Sequence, residues 1–195
     1  MITTEQIKEL RDKTGVSVMQ CKKALEEAGG AMDKALIILR KKGSDIASKK
    51  SDRTLGSGRI VSYIHGNGSV GSIIELRSET DFVSNNEEFF ALAHNIAMQV
   101  AASNPTYLKA GDVTDEEKSK ILEVLEKEVE GKPDNIKDKI LKGKLDSYLA
   151  DKILLEQPFI KDGNMKIKDL IETAIQKFGE KIEVARFARF SVLEK

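Results

Sequence analysis

Two residue types that build stable sites in other proteins are scarce in this chain of 195 residues. It has one cysteine, Cys21, so no disulfide can form within the chain. Its two histidines, His65 and His94, leave no cysteine and histidine set with the spacing of metal ligands. The sequence therefore predicts neither a structural metal site nor a bound cofactor.

The chain also lacks an excess of either charge and lacks a long apolar run. Lysine and arginine number 32, and aspartate and glutamate also number 32, which argues against a nucleic-acid-binding protein. No segment approaches the roughly 20 consecutive apolar residues that span a bilayer. The N-terminus lacks the basic-then-apolar pattern of a signal peptide. We expect a cytoplasmic protein with no nucleic acid or membrane partner.

Basic and acidic residues are distributed unevenly along the chain. Residues 1–55 contain 12 basic and 8 acidic residues, whereas residues 56–195 contain 20 and 24. This division predicts two differently charged parts.

The basic part has the pattern of three short helices. Thr3 and Gln6 form a potential capping box, and Ser17 can cap the second helix. Apolar spacing predicts that the second helix buries Val18, Cys21, Leu25 and Ala28. The third helix is expected to stop at Gly43. We predict a three-helix domain over residues 1–45, a polar linker over 46–58 and a second domain over 59–195.

The second domain begins with a β pattern. Residues 60–65 and 70–77 are rich in β-forming residues, with Gly66-Asn67-Gly68-Ser69 between them. This segment also matches the dinucleotide motif G-x-G-x-x-G, but that motif needs a following helix, so a hairpin is favoured.

Helical spacing predicts four further helices, over 87–102, 115–130, 135–155 and 170–178. Asn85 is the expected cap of the first, and Gly131-Lys132-Pro133 separates the second from the third. The last run, 182–192, is predicted to be a strand with imperfect alternation, which indicates either a bulge or two covered faces. The fold class is α+β with a mostly antiparallel sheet.

Two residue sets stand out as candidate binding sites. Glu79 to Val83 connect a strand to a helix, where Phe82 either covers the core or contacts a ligand or partner. The other set comprises Arg11, Val18, Met19 and Lys22, in which Met19 lies off the apolar stripe and is either an ordinary surface residue or an adaptable contact. Cys21 is expected to be a small buried residue. His65, at a strand end, is a structural or surface histidine or a partner contact.

Several separated motifs resemble one family in its own order. These are residues 10–15 and 19–25, Thr80-Asp81-Phe82-Val83, Gln157-Pro158-Phe159 and residues 186–190. Together they are similar to the elongation factor Ts family, the nucleotide exchange factors for elongation factor Tu.

The resemblance implies a fold, a partner and a set of contact residues. It implies a three-helix domain like the ubiquitin-associated domain, followed by an α+β exchange core. Thr80, Asp81, Phe82 and Val83 would approach the magnesium and phosphate side of the partner's nucleotide site. Arg11, Val18, Met19 and Lys22 would contact its G domain, and His65 is a further possible contact. The chain resembles the short members of the family, which implies a homodimer.

Two other interpretations remain open. Asp81 with Glu79 or Glu87 could form the paired carboxylates of an enzyme, which would require a cleft and a raised carboxyl pKa. Alternatively, the N-terminal helices alone could bind a ubiquitin-like or helical partner. Because no second catalytic motif is present, we expect an exchange factor and not an enzyme.

Overall fold

The N-terminal helices begin at the residues that the sequence supplies as caps. A computed structural model describes residues 2–127, 129 and 134–192, with residues 134 and 135 described by their backbone alone. Thr3 and Gln6 form the predicted capping box, and the Ser17 side chain accepts a hydrogen bond from the N–H of Gln20. The three helices are α1 (Thr4–Thr14), α2 (Val18–Glu27) and α3 (Met32–Lys49).

The prediction that the third helix stops at Gly43 is wrong. Helix α3 continues through Gly43 to Lys49, and this glycine is buried. A Cβ on Gly43 would lie 3.4 Å from the backbone oxygen of Glu172, so the glycine allows α3 to approach a later helix closely. The first four residues of the predicted linker, 46–49, are therefore helical, and Ile46 and Ala47 pack against the main core.

The N-terminal bundle has its own small core. Its buried members are Leu10, Val16, Cys21, Ala24, Leu25, Ala35 and Leu39. Val18, predicted to face inward, is instead 47% exposed. Gly15 adopts a left-handed conformation, with φ of 66°, and the turn that it forms places Val16 in the core just before α2 begins.

The main sheet has three antiparallel strands in the order β1, β2, β5. Strands β1 (Ser57–His65) and β2 (Val70–Ser78) form the predicted hairpin, and β5 (Ile182–Ser191) pairs with the other side of β2. No helix follows the glycine-rich turn, which confirms the hairpin interpretation.

Strand β5 contains a bulge. Glu75 pairs with Arg186, but its neighbour Leu76 pairs with Val184, which leaves Ala185 without a partner in the register. The extra residue moves the even-numbered side chains from one face of the sheet to the other. Before the bulge Val184 points toward the core, and after it Phe190 points away from the core. Of the two explanations for the imperfect alternation, the bulge is confirmed.

The inner face of the sheet is covered by helices. One short and three longer helices follow the hairpin: α4 (Asp81–Ser84), α5 (Glu87–Ser103), α6 (Asp115–Lys127) and α7 (Asp134–Lys152). Helix α5 packs on the sheet through a buried side that includes Phe89, Ile96 and Val100. Its cap is Asn86, not the predicted Asn85, because Asn85 forms the end of α4.

The remaining elements complete an α+β fold, as predicted. Two short 3-10 turns, Ala110–Asp112 and Leu154–Glu156, flank α6 and α7, so the second of these helices ends three residues before the predicted 155. A small hairpin, β3 (Pro158–Phe159) and β4 (Asp162–Lys166), precedes α8 (Ile167–Phe178). The predicted break at Gly131-Lys132-Pro133 lies outside the described residues. Within the described part of the chain, no helix is both long and apolar enough to cross a membrane.

Candidate functional site

The segment Thr80-Asp81-Phe82-Val83 forms a helical turn and not an irregular loop. Helix α4 starts directly after Thr80, two residues beyond the end of β2. Phe82 is 83% exposed, and Asp81 is also exposed. The alternative in which Phe82 covers the core is therefore wrong. An aromatic side chain held in solvent on a short turn is available to another molecule.

The second half of the same turn faces inward. Val83 is only 2% exposed and belongs to the main hydrophobic core, so it offers no surface to a partner in this structure. The Ser84 hydroxyl lies 2.8 Å from the hydroxyl of Ser57 and also donates to the backbone oxygen of Asp81 at 3.3 Å. Val83 and Ser84 therefore attach α4 to the sheet.

The first half of the turn is held by acidic side chains from two places in the sequence. Thr80 donates two hydrogen bonds to Glu180, through its N–H at 3.0 Å and its hydroxyl at 2.6 Å. Glu79 accepts from the N–H of Lys181 at 2.6 Å and forms an ion pair with Arg53 at 3.0 Å. Sequence reasoning missed Glu180, because no local pattern relates it to Thr80.

The electrostatics around the turn argue against a carboxylate enzyme. Burial raises the pKa of Glu79, but the hydrogen bond from Lys181 and the Arg53 guanidinium outweigh it and lower the pKa below its ordinary value. A general acid at neutral pH requires the opposite shift. Glu79 therefore supports the local structure, and its lowered pKa gives no support to a general acid paired with Asp81.

The four predicted N-terminal contact residues all lie on the surface. Val18 and Lys22 are one helical turn apart on α2, and Met19 beside them is 64% exposed. Lys22 makes a long contact with Glu26, at 3.9 Å, and its side chain is 53% exposed. Arg11 is exposed in the last turn of α1.

One lysine connects this surface to the region of α4. Lys177 Nζ lies 3.0 Å from where a Cβ would stand on Gly15, and it forms an ion pair with Glu88 in the first turn of α5. Partial burial, and then the nearby Arg11, lower the pKa of Lys177. The structure thus joins the side of the bundle that carries Arg11 to the helix that directly follows α4.

His65 lies apart from the α4 turn. It pairs with Val70 at one end of the hairpin, whereas Ser57 and Ser78 pair at the end that leads to α4. Nine residues of β1 separate these ends by about 26 Å. The Tyr63 hydroxyl lies 3.0 Å from His65 Nδ1. The structure therefore does not bring His65 together with Phe82.

A group of aromatic side chains that sequence reasoning missed lies between these two ends. Phe90 stacks on His94 with ring centroids 6.2 Å apart, and the Arg59 guanidinium lies 5.8 Å from the Phe90 ring. The adjacent pair Phe89-Phe90 in one predicted helix is the sequence pattern that could have indicated an exposed aromatic residue here. Neighbouring helical residues point about 100° apart, so only one of the two can face the sheet.

Among the described residues, no group of three or more histidine, cysteine, aspartate or glutamate side chains is arranged to hold a metal ion. Cys21 is fully buried in the bundle, which confirms its predicted role as a small core residue. Burial raises the pKa of its thiol.

Comparison with known proteins decides the family. The family model described as Elongation factor TS matches residues 9–194, which include every candidate residue above. The chain belongs to the elongation factor Ts family. This confirms the resemblance that the separated motifs indicated.

Curated relatives match over nearly the whole chain. An elongation factor Ts from Thermodesulfovibrio yellowstonii is 50% identical over 192 residues, covering 98% of this chain and 96% of its own length. One from Thermotoga petrophila is 48% identical, covering 99% and 97%. A third, from Carboxydothermus hydrogenoformans, is 45% identical, covering 100% and 90%. The matches therefore cover both the N-terminal bundle and the sheet domain of this chain.

Proposed function

We propose that this protein is a guanine nucleotide exchange factor for elongation factor Tu and promotes release of GDP during translation elongation. The observation that supports this most directly is the α4 turn, which holds Phe82 in solvent on a rigid support, in a chain that belongs to the elongation factor Ts family. The proposed action needs no nucleophile, base or metal of its own, so the protein is not an enzyme in the chemical sense.

The proposed mechanism is a coupling between two binding events. If the factor binds nucleotide-free elongation factor Tu more tightly than the GDP complex, linkage requires that it weakens GDP binding by the same factor. Each tenfold weakening needs about 1.4 kcal/mol of differential contact. The Thr80-Asp81-Phe82-Val83 turn supplies this contact near the magnesium and phosphate site, with Phe82 filling an apolar pocket and Asp81 opposing the anions and competing for magnesium. Val83 contributes from inside, by anchoring the turn.

The N-terminal bundle is proposed to form the second contact. Arg11, Val18, Met19 and Lys22 would bind the G domain of the partner, while His65 is a further contact at the other end of the hairpin. Two contacts on one chain raise the effective concentration of each at its site. The division into a bundle of residues 1–45, a connection of 46–58 and an exchange core of 59–195 is part of this proposal.

We further propose that two copies of the chain associate through the outer face of the sheet. Cross-strand pairs place Ile64 beside Gly71 and Phe190, and Ser62 beside Ile73 and Ala188, on the side away from α5. Ile60 and Val192 extend the same exposed apolar face. An antiparallel sheet normally presents polar residues on its free side, so a face of this kind is typical of an interface. A second copy supplies an identical apolar face that can cover it in a symmetric dimer.

The proposed partner and location follow from the same function. We propose a cytoplasmic protein that binds elongation factor Tu and acts without a nucleic acid or membrane partner.

Release of labelled GDP from elongation factor Tu tests the proposal. Substoichiometric amounts of the protein should accelerate release in the presence of excess unlabelled nucleotide, because a factor that acts by coupling turns over. Release that stays at its intrinsic rate over a wide concentration range would reject the exchange function. Capture of elongation factor Tu without any acceleration would favour the alternative in which the bundle is only a binding module.

A further inference from the structure

Two carboxylates continue the pairing of β2 and β5 beyond the point where the strands end. The last backbone pair is Ser78 with Ile182. Beyond it, Glu79 accepts the N–H of Lys181, and Glu180 accepts the N–H of Thr80. Each chain segment thus supplies a carboxylate to the amide of the other, so the junction is reciprocal.

The two carboxylates differ in what else they contact. Glu79 also binds the Arg53 guanidinium, which belongs to the segment that leads into β1. For Glu180, both hydrogen bonds among the described residues go to Thr80, with the hydroxyl contact at 2.6 Å. Glu79 therefore secures the entry to the sheet, whereas Glu180 acts on the residue that precedes α4.

Thr80 uses its hydroxyl in an unusual way for its position. It is the cap residue of α4, with an extended backbone, but its side chain makes no capping hydrogen bond to the helix. A threonine at this position ordinarily accepts from an amide of the first turn. Here the hydroxyl donates to Glu180 instead, so it connects the turn to the segment that leads into the neighbouring strand β5.

A helix as short as α4 is not stable by itself. It has four residues, and helix nucleation is unfavourable at that length. Its conformation therefore depends on the attachments at its two ends. Glu180 holds Thr80 before the turn, and the core holds Val83 after it. Phe82, which contacts solvent, lies between these two attachments.

We propose that Glu180 is a positioning residue for exchange, because it holds Thr80 and thereby presents Asp81 and Phe82 in the geometry that enters the partner. This inference rests on the proposed exchange function. A turn that is already ordered loses less conformational entropy when it enters the nucleotide site, so the attachment favours this step within the bound complex without touching the partner. Loss of the Glu180 attachment lowers the rate at which elongation factor Tu releases GDP within the complex, while the N-terminal bundle still binds elongation factor Tu.

The test compares three variants of the full-length chain. Glu180→Ala removes both acceptors of Thr80, and Glu180→Gln retains one amide oxygen and removes the charge. Glu183→Gln is the matched control: it removes the same charge three residues away, where the carboxylate faces Lys181 at 3.4 Å and not Thr80. The rate of GDP release is measured at increasing factor concentrations up to saturation. This titration gives the maximal rate and, separately, the factor concentration at which half of that rate is reached.

We expect about a tenfold lower maximal rate for Glu180→Ala, about threefold for Glu180→Gln and less than twofold for the control, as for hydrogen bonds to a charged group. The half-maximal concentration should change less than about twofold. In a Phe82→Ala background, Glu180→Ala should cause clearly less loss than it does alone, because Phe82 is one of the two side chains through which it acts. Full additivity of the two losses, or a normal maximal rate for Glu180→Ala, would overturn the proposal.

Amide hydrogen exchange of the free protein provides a readout that does not require the partner. In Glu180→Ala, the amides of residues 80–85 should exchange about tenfold faster, with α8 and β5 unchanged. Unchanged protection of residues 80–85 would overturn the positioning role even if GDP release were slower. If the wild-type chain does not accelerate GDP release, the exchange function fails, and the amide measurement still decides whether Glu180 orders the turn.

Discussion

The N-terminal bundle and the sheet domain expose apolar residues in different ways. The bundle closes around its own core, and its exposed apolar residues, Val18, Met19 and Ile37, stand among charged neighbours. The sheet is covered by α5 on one side only, and its other side exposes an apolar patch around Ile64, Ile73 and Phe190, bordered by the ion pair of Glu75 with Arg186. Scattered apolar residues are common on soluble proteins, but a patch of neighbouring ones is less so. This difference fits the two roles proposed above, in which the bundle docks on elongation factor Tu and a second copy covers the sheet.

The largest expected effect comes from placing a charge on the open face of the sheet. Phe190→Asp should raise the dissociation constant of the proposed homodimer about 100-fold, since removing one central contact can cost about 3 kcal/mol. Light scattering and sedimentation at micromolar concentration measure the mass. Ile37→Asp, on the bundle, is the matched control and should remain dimeric. A monomeric wild type, or a dimeric Phe190→Asp, would contradict the assignment of this face.

The second effect concerns the exposed aromatic residue of α4. Phe82→Ala should slow GDP release at least tenfold, a loss of about 1.4 kcal/mol of coupling. The melting temperature should change by no more than about 1 °C, because the side chain buries little surface in the free protein. Phe90→Ala controls for removal of a nearby exposed aromatic and should retain the rate within about twofold. A large fall in the melting temperature of Phe82→Ala with a normal rate of GDP release would show that Phe82 stabilises the fold and does not contact the partner.

A smaller effect is expected on the bundle. Met19→Asp should weaken binding to elongation factor Tu about fivefold, or roughly 1 kcal/mol, because it replaces an adaptable apolar contact with a charge. The maximal rate at saturating factor should persist, since the α4 turn is intact. Ile37→Asp again serves as the control. The affinity of each variant is measured from the rate of GDP release as a function of factor concentration. Equal affinities for the two variants would place the contact elsewhere on the bundle.

The smallest effect tests the junction between the two regions. Glu172 accepts a hydrogen bond from Ser44 at 3.3 Å, and burial raises its pKa above the ordinary value. An acid with a raised native pKa stabilises the fold at low pH, and this contribution is lost as the pH rises through the native pKa. Glu172→Gln should therefore raise the melting temperature by a few degrees at most at pH 7. The difference should disappear below about pH 4.3, the ordinary glutamate value. A variant that is less stable at pH 7 would contradict this assignment.

Local patterns in the sequence predicted the elements and many of their ends. Thr3 and Ser17 cap their helices as expected, and Gly179 ends α8 in a left-handed conformation with φ of 73°. Even the bulge in β5 was indicated by a local signal, the misplaced Arg186 in an otherwise alternating strand. These features depend on residues within a few positions of one another, so periodicity and capping rules reach them.

The errors share a physical cause. Gly43 was expected to end a helix, yet it continues one, because α3 packs closely against α8 there: a Cβ on Gly43 would lie 3.4 Å from the backbone oxygen of Glu172. Val18 was expected in the bundle core, which Val16 occupies instead. For Gly43 the decisive neighbour lies far along the chain, and for Val18 it is the way in which the three helices close around one core.

The sequence by itself therefore determined the helices, the hairpin, the α+β class and the choice of Phe82 as a candidate contact. Only the tertiary structure decided which half of the α4 turn faces solvent, which side of the sheet stays open and which residue holds the turn. Thr80 and Glu180 are separated by 100 positions in the chain. Helical and strand periodicities carry information over only a few residues, so a hydrogen bond across that distance is specified by how β2 and β5 pack side by side.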